Sequence, residues 1–96
     1  MAKGYWIAHV EVTNPDQYQK YVEGSAAAFK KYGARMFARG GPVKHLEGDN
    51  GRPRNVVIEF ESMQTALDCY NSEEYQAAKA HRKDAGIADI MIMEGV

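Results

Sequence analysis

The chain has 96 residues, 12 basic and 13 acidic, for a formal net charge of -1. That length predicts one domain over residues 1–96 with a modest core, so any sizeable ligand site must be a surface cleft or be shared between subunits. The balanced charge lacks the basic footprint that nucleic acid or an anionic membrane surface would require, and no run approaches the roughly 20 apolar residues of a membrane span.

Tyr5 to Val12 reads as the first strand, with Trp6, Ala8, Val10 and Val12 on one face and Tyr5, Ile7, His9 and Glu11 on the other. Asn14-Pro15-Asp16 then starts a helix: Asn14 caps, Pro15 suits the first helical position and Asp16 complements the positive end of the dipole. Tyr18, Tyr21, Val22, Ser25, Phe29 and Tyr32 recur at helical spacing, and Gly33 is the stop. These aromatic residues read as the core stripe of the helix.

Arg35 to Arg39 alternates as a second strand and meets a bend at Gly40-Gly41-Pro42, with Val43 to Glu47 as a prolongation beyond it. Gly48 to Pro53 is a turn, which makes Arg54 to Phe60 the antiparallel partner of that strand. Val56, Ile58 and Phe60 form one face of this third strand, and Asn55, Val57 and Glu59 the other. A carboxylate in the middle of a sheet is costly unless paired, hydrogen-bonded or wet, so Glu59 calls for a partner, a cavity or solvent.

Ser62 starts a helix that runs to about Tyr70, and Ser72 after the Asn71 break caps a further one opening on Glu73-Glu74. Tyr75, Ala78, Arg82 and Ala85 share a face of that helix, which Gly86 ends. Asp89 to Met93 alternates as the final strand.

Strand, helix, strand, strand, helices, strand is the order of a ferredoxin-like α+β sandwich made of two βαβ halves. The echo of Val10-Glu11-Val12-Thr13-Asn14 in Ile58-Glu59-Phe60-Glu61-Ser62 supports the duplication. Right-handed crossovers put all helices on one side of the antiparallel four-stranded sheet. The other side carries Tyr5, Ile7, His9, Glu11, Val57 and Glu59, with Arg35, Phe37 and Arg39 or their neighbours. Apolar and ionisable groups so mixed make a poor solvent face, which predicts a homodimer with its open sheet faces together.

Gly4-Tyr5-Trp6-Ile7-Ala8, Asn14-Pro15, Arg39-Gly40-Gly41, Glu47-Gly48, Arg54 to Phe60, Ser72 to Ala78 and Glu94-Gly95 together extend over nearly the whole sequence. In these motifs the chain resembles the bacterial domain-of-unknown-function 1330 (DUF1330) family. The resemblance implies membership of the dimeric α/β-barrel superfamily, which includes cofactor-independent monooxygenases of antibiotic biosynthesis, muconolactone isomerases and haem-binding chlorite dismutases. Glu61 and Glu73 depart from a common family proline, and His81 from an aliphatic position.

The candidate substrate-binding residues are Arg39, Arg54, Tyr70, Tyr75 and Arg82. Guanidinium groups offer a planar donor fork to a carboxylate, the glycines after Arg39 allow close backbone approach, and two phenols bracket a helix start that favours anions. Structural ion pairs, Arg39 with Glu59 or Glu11 among them, and a tyrosine core edge are the competing readings. The candidate catalytic residues are His9 and Glu59: imidazole titrates near neutrality, His9 is read as standing opposite Glu59, and Glu59 gains basicity if desolvated. An interface histidine and a buried ion pair are the commoner roles.

Cys69 reads as a buried small hydrophobe, and the absence of a second cysteine and of a leader pattern after Met1 predicts a reducing cytoplasm. His9, His45 and His81 have no zinc spacing and no phosphate loop is present, so no metal or cofactor is expected. The resulting expectation is a homodimeric barrel binding a small anionic or polar-aromatic metabolite, with isomerase-like or monooxygenase-like chemistry if it is an enzyme. A non-catalytic ligand-sensing or protein-interaction dimer is the alternative.

Overall fold

The computed structural model describes residues 2–49 and 51–96. Its elements are β1 (Gly4–Val12), α1 (Pro15–Lys31), β2 (Arg35–Arg39), β3 (Arg54–Phe60), α2 (Met63–Tyr70), α3 (Glu73–Arg82) and β4 (Gly86–Glu94). Each helix starts where a side chain relieves an otherwise unbonded backbone N–H. Asn14 Oδ1 accepts from Gln17 N at 3.2 Å, Ser62 Oγ from Thr65 N at 3.0 Å and Ser72 Oγ from Tyr75 N at 3.1 Å. Ser72 also donates to the Cys69 carbonyl at 2.6 Å, which fastens the start of α3 to the end of α2.

The strands lie in the order β2-β3-β1-β4, with every neighbouring pair antiparallel. The chain therefore has the α+β ferredoxin-like fold, with an antiparallel four-stranded sheet on one side and helices on the other. In the register, Trp6 stands between Ile58 and Ile92, and Ala8 between Val56 and Ile90, all turned toward the helices. Trp6 is the centre of the core: the rings of Tyr75, Phe29, Tyr70 and Phe60 lie 4.9, 5.2, 5.7 and 6.0 Å from it. Gly24 of α1 faces Ala78 of α3 so closely that a Cβ would come within 3.0 Å of the alanine Cβ, and this lets the two helices cross above the sheet.

The other sheet face has no helix on it, and the protein is a slab of 36 × 35 × 16 Å. Phe37, Ile87, Met91 and Met93 are each about half exposed there. Among the described residues no helix is long and apolar enough to cross a membrane.

Some expected boundaries differ. Val43 to Glu47 forms no strand, because after Gly40 the chain leaves β3 and finds no neighbour to pair with. Helix α3 stops at Arg82, where Ala85 N bonds back to Arg82 O at 2.9 Å, and β4 starts at Gly86 instead of Asp89 because the β1 partner extends to Val12. The expected turn from Gly48 to Pro53 includes Asn50, which lies outside the described residues. Beside it Gly48 and Gly51 hold φ of 69° and 78°.

Candidate functional site

A cleft opens between α1 and the helix-facing side of the sheet. Its floor is apolar, built from Ala8, Val10, Val56, Ile58 and Ile90, with Val22 and Phe29 above. Polar groups enter from three elements. Tyr18, Tyr21 and Ser25 come from one face of α1, Arg39 from the end of β2 and Arg54 from the start of β3. The cleft offers about 60 Å³ to the centres of water-sized molecules. A single water occupies about 10–15 Å³, so small groups fit.

Strand register explains how the two arginines arrive. Arg54 is opposite Val10, an inward position. Arg39 reaches the same side through a bulge: pairing slips between Met36 and Ala38, so Ala38 stands opposite Val57 and Arg39 opposite Val56. One extra residue reverses the side-chain parity of everything after it. This corrects the expectation that Arg39 shares the open face with Arg35 and Phe37, and with it the competing reading of an ion pair to Glu59 or Glu11. Arg35 Nη1 bonds Glu59 at 3.3 Å, and Arg52 bonds Glu11 at 3.5 Å and Asp89 at 3.3 Å.

Arg54 Nε is buried and has no hydrogen-bond partner among the described residues. A buried cationic donor without an acceptor is costly, even where the same guanidinium hydrogen-bonds Tyr18 through its other nitrogens. Gly40 serves this arginine: its φ is +68°, and a Cβ there would overlap Arg54 Nη1. The glycine thus makes room for a protein guanidinium, where the sequence suggested room for a ligand.

Behind the cleft, α1 and α3 are joined by polar contacts. Arg82 Nη1 donates to Tyr75 Oη at 3.0 Å, Tyr75 and Tyr21 hydroxyls are 2.9 Å apart, and the Arg82 guanidinium lies 4.9 Å from the Tyr21 ring centre. Burial pushes the Tyr18, Tyr21 and Tyr75 hydroxyls above the ordinary phenol range, and the Arg54 charge beside Tyr18 opposes the rise there. All three are protonated at neutral pH.

Tyr70 and Arg82 line a second, more open cleft with Lys79 and Leu67 beside β4. Lys79 Nζ donates to Tyr70 Oη at 3.0 Å. Arg82 therefore stands between the two clefts, while Tyr75 is completely buried.

His9 and Glu59 lie on the open face, and the register separates them. Tyr5 is the residue opposite Glu59, and Asn55 the one opposite His9, which corrects the expected juxtaposition. Four residues along a strand put the two side chains about 13 Å apart, too far for direct proton exchange. Glu59, 7% exposed, accepts from Tyr5 Oη at 3.1 Å as well as from Arg35. That hydrogen bond is the main cause of a raised Tyr5 pKa. His9 Nδ1 is 2.6 Å from Asn55 Oδ1. Among the described residues no three His, Cys, Asp or Glu side chains converge as a metal-binding set.

Tyr18, Tyr21 and Ser25 were legible only as core. Their spacing did carry a signal, because three hydroxyls on one buried helix face exceed what a purely apolar core requires.

A family model described as "Domain of unknown function (DUF1330)" matches residues 3–96. No curated protein sequence matches the chain. Among solved structures, the RPA0582 protein of unknown function from Rhodopseudomonas palustris superposes with a TM-score of 0.75 at 18% identity, covering 99% of this chain and 83% of its own. SnoaB, a cofactor-independent oxygenase from Streptomyces nogalater, gives 0.64 at 12% identity over 97% and 92% of the two chains. A dimeric protein of unknown function and ferredoxin-like fold from Bacteroides fragilis gives 0.60 at 13% identity over 96% and 95%. At these identities the likeness shows the fold.

Proposed function

The chain belongs to the DUF1330 family, and from that premise we propose that it is a homodimer binding a small anionic metabolite in the cleft between α1 and the sheet of each protomer. The observation that carries the ligand site is the buried, unbonded Nε of Arg54, a residue that lines a mostly apolar cleft. Arg39 supplies a second guanidinium at the same cleft. Two planar donors beside an apolar floor suit a carboxylate with an apolar body.

Dimerisation through the open sheet face is supported by the half-exposed Phe37, Ile87, Met91 and Met93 around Ile7 and Val57. Packing two such faces together removes this surface from water and encloses Glu59 with its Tyr5 and Arg35 partners. In this reading His9 and Glu59 are groups of the dimer seam. Tyr75 and Arg82 back the cleft, and Tyr70 belongs to the second one.

The enzyme class we propose for the bound organic anion is isomerase-like or cofactor-independent monooxygenase-like. The description of SnoaB as a cofactor-independent oxygenase supports that class by likeness of fold. The second reading, a non-catalytic sensing or interaction dimer, is favoured by the ion pair of Arg35 with Glu59, which occupies the one buried carboxylate of the open face among the described residues.

Native mass spectrometry of purified wild type and Arg54→Met, each with a mild denaturing extraction, tests both halves. The expected result is a dimer in both samples and a co-purified organic acid in the wild type only. A monomeric wild type overturns the dimer, and an acid retained by Arg54→Met overturns the anion site.

A further inference from the structure

We infer that Tyr21 is the hydroxyl donor to the bound anion, its proton turned into the cleft by the Arg82 and Tyr75 pair behind it. The inference rests on the proposal that this cleft is the ligand site, and it adds a binding residue whose helical spacing alone reads as core.

A guanidinium has donors and no acceptor. Arg82 Nη1 donates to Tyr75 Oη at 3.0 Å, so at that contact the tyrosine oxygen accepts. Tyr75 has no exposed surface, and the acceptor within reach of its own proton is Tyr21 Oη at 2.9 Å. A buried hydroxyl proton left without an acceptor is costly, so Tyr75 donates and Tyr21 accepts. The reverse order would strand the Tyr75 proton in the core. Tyr21 is then left with a proton that finds no acceptor among the described residues, and its side chain lines the cleft. Tyr75 and Arg82 are positioning residues in this arrangement.

The direction of the chain of hydrogen bonds defines the ligand. Arg39, Arg54 and Tyr21 present donors, so the ligand end they meet carries acceptor atoms and no protons. A carboxylate meets that requirement, whereas the N–H₂ of a primary amide faces a donor. The space of about 60 Å³ suits a short apolar chain.

Butanoate and the neutral butanamide are the probes, titrated into the full-length protein with ¹³Cζ-labelled tyrosine and followed by NMR. The phenol Cζ resonance moves downfield when the hydroxyl donates to an anion. The expected result is a saturable downfield shift of Tyr21 with butanoate, binding about tenfold weaker in Tyr21→Phe and tenfold weaker for butanamide in the wild type, as for loss of one charge-assisted hydrogen bond. In Tyr75→Phe the Tyr21 shift shrinks, a response that a packing role alone would not produce.

If butanoate binds wild type and Tyr21→Phe equally while Arg54→Met loses it, the Tyr21 assignment falls and the cleft stands. If butanoate leaves the wild-type spectrum unchanged, the cleft reading falls and takes this inference with it. Where a variant fails to fold the wild type decides: butanoate that shifts other tyrosine resonances and leaves that of Tyr21 in place overturns the Tyr21 assignment.

Discussion

The guanidinium of Arg54 occupies the space that a side chain at Gly40 would need: a Cβ there would overlap Nη1, and the Gly40 backbone holds φ of +68°. Gly40→Ala therefore strains the backbone and displaces the arginine together. The expected cost is about 1–2 kcal/mol in urea denaturation, with a weakened affinity for carboxylate probes. Unchanged affinity would separate the Arg54 guanidinium from the ligand.

Met91 lies opposite Ile7 on the open face and is half exposed. Met91→Glu places a charge where two sheets would meet and leaves the core alone. Sedimentation velocity is expected to show a monomer, with an unchanged far-ultraviolet circular dichroism spectrum. A persisting dimer would move the interface to another surface.

Alkaline pH is expected to destabilise the fold earlier than loss of surface ion pairs alone would. Burial, with a smaller contribution from Glu74, pushes the Cys69 thiol up to about 12, and burial raises Tyr18, Tyr21 and Tyr75 from 10.0. In the unfolded chain these groups release protons near their ordinary values of 9.0 and 10.0. The folded state then binds more protons than the unfolded one, so stability is full below pH about 9 and falls as pH rises toward 12. Urea midpoints measured from pH 7 to 11 check the slope. At pH 8 Cys69, fully buried, is also expected to resist thiol reagents until the protein unfolds.

Ser72 accepts from Tyr75 N and donates to Cys69 O, both in buried surroundings. Ser72→Ala removes the cap of α3 and leaves a carbonyl without that donor. A loss of about 1–2 kcal/mol is expected, a fall in Tm of about 4–16 °C for a domain of this size. A melting temperature within error of wild type would show that water replaces both bonds.

Local chemistry was legible in the residues that act on their near neighbours. Asn14, Ser62 and Ser72 cap the helices they were expected to cap, because a cap needs only its own side chain and the next turn of backbone. The alternation of Trp6, Ala8 and Val10 likewise identified the buried face of β1, since a strand has one periodicity and water selects the apolar side. Tyr75 and Arg82 meet as their helical spacing implied.

What depends on how two strands align was not legible. Nothing in Arg35 to Arg39 announces the bulge, whose cost and benefit lie in the pairing with β3, and so Arg39 was placed on the wrong face. His9 of β1 and Glu59 of β3 share a sheet face by alternation, yet register keeps them apart. Tyr21 has the spacing of a core residue, and only the fold sets the oxygen of Tyr75 beside it and Arg82 behind that.

By itself the sequence determined the order of elements, the buried faces of β1 and α1 and the single-sided layering of helices on the sheet, because propensity, capping and apolar periodicity act within a few residues. The tertiary structure decided which charges share a cleft and which hydroxyls meet. Those depend on strand register and on distances between groups far apart in the chain, and no local pattern encodes either.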